Sequence, residues 1–169
     1  MPQDILIMVK LAISKGPGWS YGSLAKDLRM SSSMVHSGIE RSAKAHLFDH
    51  HLRRPRYKAL EEFLIHGVKY AFPAEIGSMT RGVPTAYASP AFINHISYDR
   101  QGEIYVWPHP EGHQRGLSFS PLYNSVPYIA MDDERLYYAL GLIDAIRLGR
   151  SREVKHAEEL LVDMLRNYA

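Results

Sequence analysis

The sequence predicts a mainly helical α+β fold. Three observations point to it. Apolar residues recur at three- and four-residue steps near both ends, two short aromatic runs with strand character lie between residues 92 and 107, and a Gly/Pro/Ser-rich stretch at 73–92 separates the two kinds of pattern. At 169 residues, 46% hydrophobic and 22% charged, the chain can bury one ordinary core, or one small domain plus a companion.

The first helix is expected over Asp4 to Lys15. Ile5, Leu6, Met8, Val9, Leu11, Ala12 and Ile13 surround it with apolar side chains, and Gly16-Pro17-Gly18 ends it. Trp19 and Tyr21 fall at the next junction, where they are expected to pack between helices. Ser20 caps a short second helix whose Leu24, Ala25 and Leu28 share one face. Arg29-Met30-Ser31 breaks the pattern. A third helix follows, with N-caps available at Ser31-Ser32-Ser33 and an apolar side of Val35, Ile39, Ser42 or Ala43, and Leu47. The interval between these two helices has the length of a helix-turn-helix turn.

The opposite face of the third helix decides the chemistry expected of this region. Ser31, Ser32, Ser33, His36, Ser37, Arg41 and Lys44 lie near its start or on its outer side, where a recognition helix over Ser32–His46 would meet base edges and phosphates. The charge distribution agrees. Residues 1–60 hold ten Lys/Arg against four Asp/Glu, residues 61–169 ten against fourteen, so the formal net of +2 hides a basic N-terminal third. Arg53, Arg54, Arg56 and Lys58 follow the motif directly, and such a concentration is rewarded by counterion release from a phosphate backbone.

The stretch Leu24-Ala25, Leu28, Met30-Ser31, Ser33, Val35, Ile39 and Leu47-Phe48 resembles the winged helix-turn-helix regulators of bacteria, broadly the MarR-like group, over about the first 60 residues. The resemblance implies that Ser32, Ser33, His36, Ser37 and Arg41 face the major groove, that residues 49–55 form a small wing, and that Arg53, Arg54 and Arg56 touch the DNA backbone. Three positions depart from the pattern. Gly38 lies inside the third helix, at a cost of roughly 1 kcal/mol relative to alanine; Ser42 stands where leucine is usual; His46 replaces the glycine before the wing.

The domain organisation expected is therefore a winged helix-turn-helix unit at 1–56, a linker helix at 57–72 with Leu60, Phe63, Leu64 and Val68 on one face, and a C-terminal α+β unit at 73–169 that dimerises or binds a ligand or partner. Residues 73–92 show neither helical nor strand period and are expected as a functional loop, in which Thr80, Arg81, Thr85 and Tyr87 are candidates to receive an anionic ligand or a partner. A hairpin of strands Phe92–Tyr98 and Glu103–Trp107 turns at Asp99-Arg100-Gln101-Gly102, and a third strand covers Gly116–Phe119 in a small antiparallel sheet. A helix pair ends the chain: one begins at Asp132-Asp133-Glu134 and ends near Gly149, the other is capped by Ser151.

Other classes of function lack their signatures. The chain has no cysteine, no P-loop, no GxGxxG after a strand, no GxSxG and no HExxH, so no enzymatic role and no cofactor is expected. His109-x-x-x-His113 is interrupted by Pro110 and Gly112 and is read as exposed loop histidines, with no metal site. No run approaches the roughly 20 apolar residues of a membrane span, and MPQDILIMVK has no signal-peptide layout. The expectation is a cytoplasmic, homodimeric regulator that binds double-stranded DNA, because one recognition helix reads too few base pairs alone. The alternative is an antitoxin-like module whose C-terminal half binds a partner protein.

Overall fold

The computed structural model describes residues 1–14, 18–93 and 103–168, and the fold is α+β and mainly helical. Helices α1 (Pro2–Ile13), α2 (Tyr21–Leu28) and α3 (Ser32–Lys44) are followed by a short antiparallel hairpin, β1 (Phe48–Asp49) and β2 (Arg54–Pro55). Ser20 caps α2 by accepting from the Ser23 N–H, and Ser31 caps α3 by accepting from the Met34 N–H. Arg29 ends α2 in the left-handed region, at φ 51°. Gly16 and Pro17, expected to end the first helix, lie outside the described residues.

Next, α4 (Tyr57–Glu62) passes through a π-helical turn (Phe63–Gly67) into α5 (Val68–Ala71). The Phe63 ring lies where a Cβ on residue 67 would stand, so glycine there lets the ring fold back over the widened turn.

The largest departure from the sequence expectation is at 73–92. This segment is no loop: it holds the ten-residue strand β3 (Ile76–Thr85) and two single 3₁₀ turns, Ala86–Ala88 and Pro90–Phe92. Phe92 closes the second turn instead of opening a strand, while residues 94–98 of that expected strand and the turn 99–102 lie outside the described residues. The remaining strands are β4 (Tyr105–Pro108) and β5 (Gln114–Phe119). The N-terminal half of β3 pairs antiparallel with β5 and its C-terminal half antiparallel with β4, as expected of a small antiparallel sheet. One parallel contact, Tyr105 with Leu117 and Val106 with Ser118, closes the three strands on themselves.

An unforeseen helix, α6 (Val126–Asp132), leads into α7 (Glu134–Leu148), whose N-cap Asp133 accepts from the Leu136 N–H and whose C-cap is Gly149 at φ 77°. Helix α8 (Ser151–Tyr168) packs against α7. Every residue from Ala139 to Arg147 is buried, because α7 is surrounded by α1, α5, α6, α8, β3 and the two 3₁₀ turns. One contiguous apolar cluster runs from α1 and α3 through α4 and α7 to the strands and α8. Among the described residues no helix is long and apolar enough to cross a membrane.

Two charges sit inside this cluster. The Asp144 carboxylate accepts hydrogen bonds from Thr85 Oγ1, Trp107 Nε1 and Arg147 Nη1, each at 2.7 Å. Burial pushes the Asp144 carboxyl up, and the Arg147 charge and these three donors oppose that push. Arg147 also donates to the carbonyls of Phe72, Pro73 and Ser120, so a single guanidinium ties α7 to the segment after α5 and to the end of β5.

Candidate nucleic-acid interface

Helix α3 is held by its contacts with α1 and α2. Val35, Ile39 and Ser42 face inward, and Gly38 is buried with them. A Cβ at position 38 would stand 2.5 Å from Ile7 Cδ1 and 3.1 Å from Asp4 Oδ1, so the glycine that weakens the helix locally lets α1 and α3 approach. Into that contact reaches Arg41. Its Nε donates to Asp4 Oδ2 at 2.8 Å and its Nη2 to Asp4 Oδ1 at 2.7 Å, and the Asp4 carboxylate is buried. This hydrogen bonding pushes Arg41 above its ordinary pKa. The Nε–Nη2 edge of Arg41, a residue expected to face a groove, instead braces α3 against α1 and is not free for a base.

Ser32, Ser33, His36, Ser37 and Lys44 are all exposed. Ser33 Oγ shares a 3.0 Å hydrogen bond with the capping Ser31 Oγ. Ser32, Ser37 and Lys44 make no side-chain hydrogen bond or ion pair among the described residues. His46, just past α3, adopts φ 60°, the left-handed conformation for which glycine is the usual choice.

The hairpin is joined to α3 through a line of rings. The Arg53 guanidinium lies 4.7 Å from the Trp19 ring centre, and each of these residues donates a side-chain hydrogen bond to the other's carbonyl. Trp19 meets Tyr21 edge-on at 5.5 Å, and Tyr21 in turn lies 5.2 Å from His36. Trp19 therefore packs at the junction, as expected, but also carries the hairpin. Within the hairpin, Asp49 accepts from the N–H groups of Leu52 and His51, which hold its pKa below the usual carboxylate range. Arg56 approaches Asp49 at 3.4 Å, and Arg54 is exposed, its charge acting on the Tyr57 hydroxyl and making no ion pair among the described residues.

The C-terminal candidates divide. Thr85 is fully buried on Asp144, which corrects its expected role in meeting a ligand from solvent. Tyr87 is half-buried and donates to the Ala145 carbonyl at 3.4 Å; burial pushes its hydroxyl well up. With Pro84, Ser89, Phe92, Ile93 and Ile104 it lines a mostly apolar cavity of about 300 Å³. Thr80 is half-buried and Arg81 exposed, both on β3. His109, expected as an exposed loop histidine, is instead buried against Tyr128 with ring centres 4.4 Å apart, whereas His113 is exposed. Among the described residues no cluster of three metal-ligating side chains occurs.

A cleft of about 560 Å³ separates α1 and α2 from α6 and α7. Two ion pairs cross it, Lys10–Asp133 at 2.7 Å and Arg29–Asp132 at 3.1 Å. Burial acts to raise Asp133, but its hydrogen bonds from Lys10 and the Leu136 N–H prevail and hold its pKa low. A carboxyl whose folded pKa is depressed stabilises the fold above its unfolded value, about 3.9, and that contribution is lost as pH falls through the folded value. Asp133→Asn keeps the helix cap without the charge. The wild type is expected to lose more stability than this variant between about pH 5 and pH 2.5, measured by urea unfolding at both values; equal losses would show that the Lys10 pair contributes nothing.

Sequence reading missed the Trp19–Arg53 stack, the Asp4–Arg41 brace and the Asp144–Arg147 pair. Only the last left a signal: two opposite charges three residues apart in an otherwise apolar helical run. Comparison with protein-family models, with curated proteins and with solved structures found no match.

Proposed function

We propose that the chain is a sequence-specific DNA-binding transcriptional regulator of winged helix-turn-helix type, acting as a homodimer and reading the major groove with α3. The observation that carries this reading is the outer face of α3: Ser32, Ser33, His36, Ser37 and Lys44 are exposed, and the ring line from His36 through Tyr21 and Trp19 brings Arg53 of the hairpin to the same side. Ser and His suit base edges, while Arg53, Arg54 and Lys44 suit phosphates. The bracing of α3 by Asp4 and Gly38 supports it, since base readout needs a helix held in one position.

Binding to the DNA upstream of the chain's own coding region should weaken steeply with salt, by about 10³-fold between 50 and 200 mM if some six phosphates are neutralised. His36→Ala is expected to relax base preference, and Arg54→Ala to weaken all sequences alike. Footprinting and fluorescence anisotropy check both; no footprint and no salt dependence would refute the proposal.

A second reading, an antitoxin-like module whose C-terminal half binds a partner protein, draws on the exposed Ile76 and Met79 of β3. A stable heterocomplex from the native host that is lost on Met79→Asp would favour it, and a clean homodimer with a defined operator would count against it.

A further inference from the structure

Arg81 of β3 and Arg115 of β5 are direct cross-strand partners in an antiparallel pair. Residues so paired point to the same face with Cβ atoms about 5 Å apart, and like charges in that position repel. Both are exposed, and neither side chain makes a hydrogen bond, ion pair or ring contact among the described residues. Most of the other described arginines differ. Arg29, Arg41, Arg56, Arg147, Arg150 and Arg166 each meet a carboxylate, and Arg53 and Arg135 each lie over an aromatic ring.

The backbone fixes the register that sets the two arginines opposite each other. Each is followed by a glycine set against other backbone: Gly82 against the Trp107 carbonyl of β4, Gly116 against the Ile104 carbonyl just before it. The His109 N–H also donates to the Arg81 carbonyl at 3.2 Å. The two Cα positions are thus held by close backbone packing on either strand.

We infer that Arg81 and Arg115 form an anion grip that takes a phosphate group between their guanidinium forks. Two planar, permanently charged forks a strand spacing apart match a tetrahedral oxyanion, and a phosphate between them turns the repulsion into attraction. The inference goes beyond the DNA reading and does not depend on α3. The phosphate belongs either to a nucleic-acid backbone or to a small phosphorylated molecule.

The test uses the full chain, its Arg81→Gln/Arg115→Gln double variant and, as control, Lys155→Gln, an exposed cation on α8. One arm titrates pyrophosphate by calorimetry; the other measures anisotropy of a random-sequence duplex at about 50 and 200 mM salt. A grip on a small phosphorylated molecule predicts that the double variant, and not the control, loses pyrophosphate affinity about tenfold with the duplex salt slope unchanged. A backbone grip predicts that the slope falls by about 2. Wild type that binds pyrophosphate through the pair yet ignores the duplex would sustain the grip and sink the DNA reading. The urea midpoint of the double variant should stay level or rise, since a repulsion is removed. A fall in that midpoint, or no change in either arm, would overturn the grip.

Discussion

Asp144→Ala should lower the unfolding free energy by about 3–5 kcal/mol, the cost of breaking a buried ion pair. The substitution leaves Arg147 buried without its counter-charge and removes the acceptor for Thr85 Oγ1 and Trp107 Nε1, both also buried. Each orphaned donor carries a desolvation penalty of its own. The three carbonyls that Arg147 also meets cannot neutralise it. Urea unfolding at neutral pH measures the loss, with a constant slope confirming that stability and not the mode of unfolding has changed. A companion variant identifies the cause. Asp144→Met with Arg147→Met removes both charges, and should recover much of what the single change loses. If the double variant is as unstable as the single one, the lost acceptor of Thr85 and Trp107 and the lost bonds from Arg147 to Phe72, Pro73 and Ser120 set the loss, and the unpaired charge does not.

Gly82→Ala should cost about 3 kcal/mol. A Cβ there would run into the Trp107 carbonyl, which is backbone and paired within β4, so no side chain can turn aside to accommodate it. Relief requires β3 and β4 to move apart, which would also pull Trp107 from Asp144. Gly77 in the same strand offers the comparison. Its Cβ would meet only the Ser118 side chain, at 3.3 Å, and Gly77→Ala should cost less than about 1 kcal/mol. Equal effects at the two positions, by urea unfolding, would mean that β3 and β4 separate freely at Gly82.

The elements that could be read from residue order are those whose pattern follows local rules. Helices α1, α2, α3, α7 and α8 carry three- and four-residue apolar spacing, with Ser or Asp caps on α2, α3 and α7, and they form close to where expected. Strand β3 hid because its two halves live in different surroundings: residues 76–79 are exposed on both faces, while Gly82, Val83 and Thr85 are buried. No alternation survives such a change, and Gly77, Gly82 and Pro84 mimic loop composition. Helix α6 was obscured by Pro127, which stands near its start, where proline is tolerated. The exposed serines and His36 of α3 were legible from position alone. The fate of Arg41 was not, because it depends on Asp4, thirty-seven residues earlier, and on the missing Cβ at Gly38. Two of the three departures from the regulator pattern also find a reason in packing: Gly38 makes room for α1, and His46 takes the left-handed turn itself.

The ring contacts from His36 through Tyr21 to Trp19, with Arg53 stacked on the last, link α3 to the hairpin and set the gap between them. For the proposed regulator, any misfit between that gap and a duplex must be absorbed by the DNA. Sites would then be ranked partly by how readily their base steps bend or narrow a groove, and discrimination would extend to positions that no side chain touches.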